Sequence, residues 1–230
     1  AKNDLAKKHL ENLKNTHKIL LENNIRCCEI FDDYSIEFIE GKTVLEIIQD
    51  YVNNNDFDSA KKVIQEYYDY LLSISKVQNL DNPYLADMKK IWKEANCLPL
   101  GLFDLHMDNV IKDKEGVYVL IDQEWVTSKQ LPIEYNLYIA FNVLYNRIPK
   151  LNDAFSIYDL YNQYNISDDI ITVIEKARSK YFLEDNILID DEVNTILNKN
   201  TSVNYVEDVN KKNNELQDAC NHLNELQNKL

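Results

Sequence analysis

Asp104, Asn109 and Asp122 are the side chains in this sequence whose types and spacing best suit shared chemistry. They lie in Gly101-Leu-Phe-Asp-Leu-His-Met-Asp-Asn-Val-Ile111 and Tyr118-Val-Leu-Ile-Asp-Gln-Glu-Trp125. An acid is followed five residues on by an amide, and a second acid closes an apolar run. Phosphoryl transfer needs such a set. One carboxylate meets the acceptor hydroxyl, and an amide with another carboxylate holds Mg²⁺ on the nucleotide phosphates. The plain alternative is three ordinary loop residues in a chain rich in Asp and Asn. The acid-to-amide spacing alone has little weight, so the elements around it decide.

Those elements read as a hairpin. Asn109-Val-Ile-Lys and Val117-Tyr-Val-Leu-Ile are β-rich runs, and Lys112-Asp-Lys-Glu-Gly116 between them is a polar turn. Folding back at that turn brings Asp122 near Asn109. Two oxygen ligands then converge on one hard cation, with water and phosphate at its other positions.

On these residues the chain resembles the aminoglycoside-phosphotransferase and choline-kinase branch of the protein-kinase-like fold. It is similar in particular to kinase-like domains of bacterial surface-polysaccharide proteins, which carry an Asp-Leu-x-x-x-Asn loop and an Asp-Gln-Glu-Trp motif. The resemblance spans roughly residues 1–165 and is specific around 101–125. It implies that Asp104 is the catalytic base, that Asn109 and Asp122 are Mg²⁺ ligands, and that Glu124 is an accessory acid of the metal or phosphate site. The implied cofactors are ATP and Mg²⁺. The implied acceptor is a hydroxyl of a small molecule or of a surface-polysaccharide end.

The chain departs from that pattern in three places. Leu102 stands where the family usually has His, two residues before the catalytic Asp. Asp122-Gln-Glu replaces the Asp-Phe-Gly of protein kinases, as is normal in the small-molecule branch. The three glycines, Gly41, Gly101 and Gly116, form no glycine-rich loop, and no strand with a phosphate-binding lysine precedes the first helix. The expectation is a fragment whose upstream part supplies both, and which alone transfers phosphate slowly or not at all. The alternative is a degenerate, nucleotide-free domain.

Upstream, Ile25-Arg-Cys-Cys-Glu-Ile-Phe31 and Tyr34-Ser-Ile-Glu-Phe-Ile39 read as two strands joined by a tight Asp32-Asp33 turn. Glu40-Gly41-Lys-Thr43 then leads into a helix from about Val44. That order matches a kinase hinge, and the resemblance places the adenine against the backbone of Glu37, Phe38, Ile39 and Glu40. Gly41-Lys42-Thr43 is not a phosphate-binding loop, because the glycine needed five positions earlier is Ile36.

The rest of residues 1–200 reads as mostly helical. Leu10, Leu13, His17 and Ile19-Leu-Leu21 mark one face of a first helix. Further helices are expected over Asp58–Leu72, Leu85–Trp92, from Pro132 through Leu144, over Ser156–Tyr164 and over Ile170–Phe182. Glu11 and Glu22 read as exposed helix acids, and Glu134 as an acid favoured by the helix dipole. Trp92 and Trp125 read as core anchors. His9, His17 and His222 read as helix residues without partners, and His106 as a loop residue that either packs or meets a phosphate. Cys27, Cys28, Cys97 and Cys220 have no metal or redox spacing and read as reduced packing residues of a cytoplasmic protein. Adjacent Cys27 and Cys28 should point to opposite faces of a strand.

From Val206 the composition changes. Val209, Leu216, Leu223 and Leu230 are seven apart, and Ala219 and Leu226 follow at the d spacing, although Lys212 breaks the first d position. This is the seam of a coiled coil and points to homo-oligomers. The fold class is therefore α+β and mostly helical. A partial N-lobe covers 1–43, a helical C-lobe with the catalytic loop covers 44–200, and a coiled-coil helix covers 201–230. A net charge of −14 disfavours nucleic acid as a partner, and no apolar run is long enough for a membrane span. Two function classes follow. One is a Mg-dependent phosphotransferase; the other is an inactive kinase-like scaffold associating through its C-terminal helix.

Overall fold

A computed structural model describes residues 4–184, apart from 34, 81, 82, 92, 124, 125, 128 and 129. The coiled-coil seam, Cys220, His222, Trp92, Trp125 and Glu124 lie outside the described residues. The fold is α+β with small sheets. Its helices are α1 (Asp4–Glu22), α2 (Val44–Asn53), α3 (Phe57–Ser73), α4 (Ile133–Arg147), α5 (Ile157–Gln163) and α6 (Asp168–Glu184). Its strands are β1 (Gly41–Thr43), β2 (Lys76–Asn79), β3 (Glu94–Cys97), β4 (Gly101–Leu102), β5 (Val110–Asp113), β6 (Tyr118–Leu120) and β7 (Val126–Thr127).

Local chemistry sets the helix starts. Thr43 caps α2 with a reciprocal box, its hydroxyl accepting from the Glu46 N–H while the Glu46 carboxylate accepts from the Thr43 N–H. Ser156 and Asp159 do the same for α5. Asp56 accepts from the Ser59 N–H at the start of α3. Pro132 is the cap of α4, one position earlier than its expected place in the first turn. In α1, Leu13 and Leu20 are buried while Ile19 and Leu21 are over a third exposed. Successive helical residues turn by about 100°, so three in a row cannot share one face.

Two expected elements take another form. Pro83–Lys90 is a 3₁₀ segment with non-helical dihedrals at Leu85, in place of an α-helix over Leu85–Trp92. The two strands expected over 25–39 shrink to single bridges, Cys27 with Leu120 and Ile30 with Ile36. The Glu37 carboxylate accepts the Glu29 N–H (3.1 Å) where a ladder would use a carbonyl. The reversal at Asp32-Asp33 is present, with the Asp33 carboxylate holding the N–H of Ser35.

The sheet that matters most is β1-β5-β6, antiparallel throughout. Gly41 pairs with Asp113 and Val110 with Leu120. A Cβ on Gly41 would stand 2.5 Å from the Lys112 carbonyl oxygen and 2.7 Å from Ile111 Cγ2, so the close approach of β1 to β5 requires glycine. On the far edge of β6, Cys28 donates its N–H to Leu120 (2.8 Å) and Leu120 donates to Arg26 (2.9 Å). The segment 26–43 thus borders the hairpin on both edges. One large core of α2, α3, α4, α5 and α6 side chains lies under these strands, with Tyr67, Tyr135 and Phe141 among its largest fully buried members.

Candidate functional site

The loop from Leu102 to Asn109 is held through its carbonyls. Asn136 of α4, fully buried, donates from Nδ2 to the Leu102 oxygen (2.7 Å). Tyr67 of α3 donates its hydroxyl to the Leu105 oxygen (3.0 Å). The Asp104 oxygen accepts the His106 N–H (2.9 Å) and Asn109 Nδ2 (3.0 Å). Asn109 donates its own N–H to the His106 oxygen (3.0 Å). The loop is thus tied to two core helices and to itself.

Asn109 ends a short 3₁₀ turn (Met107–Asn109), and Val110 begins β5. Its carbonyl accepts the Ile121 N–H (3.1 Å), so the hairpin brings the residue before Asp122 against Asn109. The turn at the other end is closed by Asp113, whose carboxylate accepts the N–H groups of Glu115 and Val117 (3.0 and 2.8 Å). Gly116 has φ 80°, which glycine adopts without a Cβ penalty. Arg26 pairs with the nearly buried Asp113 carboxylate at 3.1 Å.

Electrostatics link two of the predicted residues, Asp104 and Asp122. Burial raises the Asp104 carboxyl above the ordinary aspartate value, and the Asp122 charge adds to the rise. His106 and Arg178 pull the other way. Burial lowers His106 below its ordinary value. A neutral ring suits its contact, because Nδ1 accepts the Asp108 N–H at 3.3 Å as the cap of the 3₁₀ turn. His106 therefore has a definite packing role in the loop.

With Nδ2 of Asn109 donated to Asp104, its Oδ1 is left as the acceptor end of the amide. Asn109 Oδ1 and the Asp122 carboxylate are hard oxygen donors of the kind Mg²⁺ takes, with phosphate and water at the remaining positions. Among the described residues no group of three His, Cys, Asp or Glu side chains is placed to hold a metal by itself.

Of the four predicted adenine positions, Glu37 already donates its N–H to Glu29 (2.9 Å). Phe38 is 89% exposed, and Ile39 is buried against Cys28 and Val119. Cys27 and Cys28 do point to opposite sides, one into the main core and one into this small cluster. Burial pushes the Cys27 thiol up to about 12 and the Cys28 and Cys97 thiols to about 11, which makes all three poor nucleophiles. His17 has a partner after all, its Nδ1 lying 3.2 Å from Cys27 Sγ. Glu134 at the start of α4 is largely buried, which raises its carboxyl, and its Oε2 has no hydrogen-bond partner.

Sequence reasoning missed Asn136 and Gln123. Asn136 interrupts the apolar stretch from Ile133 to Phe141, and a polar residue at a core position was the available signal. Gln123 is 4% exposed with both amide atoms unpartnered. No protein-family model matches this chain, and no curated protein matches it. No helix among the described residues is long and apolar enough to cross a membrane.

Proposed function

We propose that this chain carries the catalytic half of a Mg²⁺-dependent phosphotransferase that moves the terminal phosphoryl group of ATP to a hydroxyl of a small molecule or a surface-polysaccharide end. The observation that supports the reading is the tie between loop and hairpin: Asn109 donates from Nδ2 to the Asp104 carbonyl, and Ile121, the residue before Asp122, donates its N–H to the Asn109 carbonyl. Asp104 accepts the proton of the acceptor hydroxyl as its oxygen bonds to phosphorus and the bond to the leaving ADP oxygen breaks. A raised carboxyl favours that role, since a base works best when its pKa approaches the working pH. Asn109 and Asp122 would hold Mg²⁺, which when bound offsets charge on the phosphates. The backbone of 37–40 would receive the base, and Glu124 would stand as an accessory acid. Residues 201–230 would join copies of the chain.

A second reading is an inactive scaffold of the same shape, favoured by the lack of a glycine-rich loop among the three glycines. Titration calorimetry of ATP, with and without Mg²⁺, separates the two when done on the intact native protein beside Asp122→Ala and Asn109→Ala. The expected result is binding that needs Mg²⁺ and is lost in both variants. Binding that survives both substitutions removes the metal site, and no binding in the intact protein leaves the scaffold.

A further inference from the structure

The turn over residues 29–38 presents apolar side chains outward. Ile30 and Ile36 form an antiparallel bridge, framed by Phe31 N–H to the Ser35 oxygen and Glu37 N–H to the Glu29 oxygen (both 2.9 Å). The bridged residues exchange no hydrogen bond themselves, the geometry in which cross-strand side chains come closest. Ile30 is partly buried, Ile36 is 58% exposed, and Phe38, two residues on, is 89% exposed. Ile39 takes the inward side, packed on Cys28 and Val119. Side chains alternate along extended backbone, so Ile36 and Phe38 share the outward side. A strand with one wet face carries polar residues there. Apolar residues exposed singly are ordinary, but these three lie together.

Charge says what covers them. From Cys27 to Gly41 the chain has five acids, Glu29, Asp32, Asp33, Glu37 and Glu40, and no Lys, Arg or His. Lys14 reaches Asp32 (3.0 Å) and Lys114 reaches Glu40 (3.5 Å). Two lysines against five acids leave three negative charges around the apolar patch. A second copy would bring the same charges face to face. The three side chains offer about 300 Å² on each copy, so two would bury about 600 Å², below the roughly 1,000 Å² of a specific interface. Residues 201–230 carry five acids and three lysines, and so are repelled as well. The complementary occupant is a short segment that is apolar at its centre and basic at its ends.

We propose that Ile30, Ile36 and Phe38, with the acids around them, form a docking surface for a basic, extended segment of another protein that carries apolar residues at alternate positions. The inference does not rest on the phosphotransferase reading above.

The test uses the intact native protein and a labelled peptide with three leucines alternating with threonines and two lysines at each end. A control peptide has glutamates in place of the lysines. Fluorescence anisotropy should give the lysine peptide a Kd on the order of 10 µM, as suits a small contact, and the glutamate peptide at least about tenfold weaker binding. Ile36→Ser with Phe38→Ser should also weaken the lysine peptide by about tenfold or more. Both positions are exposed, and melting curves check that the fold survives. Glu29→Lys, which leaves the apolar patch alone, should cost severalfold in affinity, and that loss should shrink as salt rises. Unchanged affinity in the double serine variant overturns the surface, since the peptide would then sit elsewhere on an acidic chain. Equal binding of the two peptides overturns the basic partner. Self-association that disappears in the serine variant would give the patch to a second copy instead. Loss of MgATP binding in that variant, with peptide binding kept, would give Phe38 to the nucleotide and overturns the proposal too.

Discussion

Asp104 combines two demands that conflict. As a base it must be ionised, yet its half-buried place resists charge. An unfolded aspartate titrates near 3.8, and the folded one titrates higher. Between the two values the folded state binds more protons, so stability falls as pH rises through that window and stays lower above it. Asp104→Asn removes the charge and nearly keeps the shape. It is expected to raise the melting temperature at pH 7 and to cut kcat by about 10²–10⁴. The thermal gain should fade as pH drops through the raised value towards 3.8. Melting curves of both proteins at pH 7 and below pH 4 check the sign, and an Asn variant less stable at pH 7 would refute it. The hairpin around these residues was legible because β-rich runs flank a polar turn that ends in glycine. Asn136 was not, since its role depends on which carbonyl passes over α4, a matter of tertiary placement.

Elements were legible where periodicity was long or a cap was explicit. The Thr43 and Ser156 boxes set α2 and α5 close to their expected starts. The hairpin β5–β6 formed with the turn at Asp113–Gly116. Strands β2, β3, β4 and β7 were not foreseen. Each has two to four residues and pairs with a partner distant in sequence, so neither alternation nor a turn signal marks it. Gly41 was read as a punctuation mark before a helix, whereas it is a paired strand residue pressed on β5. Gly41→Ala must push Cβ against the Lys112 carbonyl, which is backbone and has little room to yield. The expected cost is about 1–3 kcal/mol by denaturant titration. A neutral result would mean that β1 can draw away from β5, and the sheet would lose its role in fixing Asn109.

At the scale of the whole molecule, charge is the dominant property. With 39 acids against 25 basic residues, the folded chain repels itself. The described ion pairs are mostly between exposed groups, such as Lys42 with Asp50 and Lys90 with Asp87, and such pairs contribute little. Screening should therefore help more than it harms. Raising NaCl from a few millimolar to about 0.15 M, where the Debye length is about 8 Å, is expected to raise the melting temperature. A fall on adding salt would show that the surface pairs outweigh the repulsion. The α+β class and the large helical core could be read from hydrophobic content and helical spacing.

The segment 26–43 borders the β5–β6 hairpin on both sides, through Arg26 and Cys28 at one edge and Gly41–Thr43 at the other. The hairpin therefore has no bare main-chain rim along those residues on which another strand could template. It also cannot open without releasing both flanks. In hydrogen–deuterium exchange the amides of Cys28, Asp113, Leu120 and Ile121 should open as one cooperative unit. The outward tip of the segment, around Asp32 and Asp33, should exchange early and by itself.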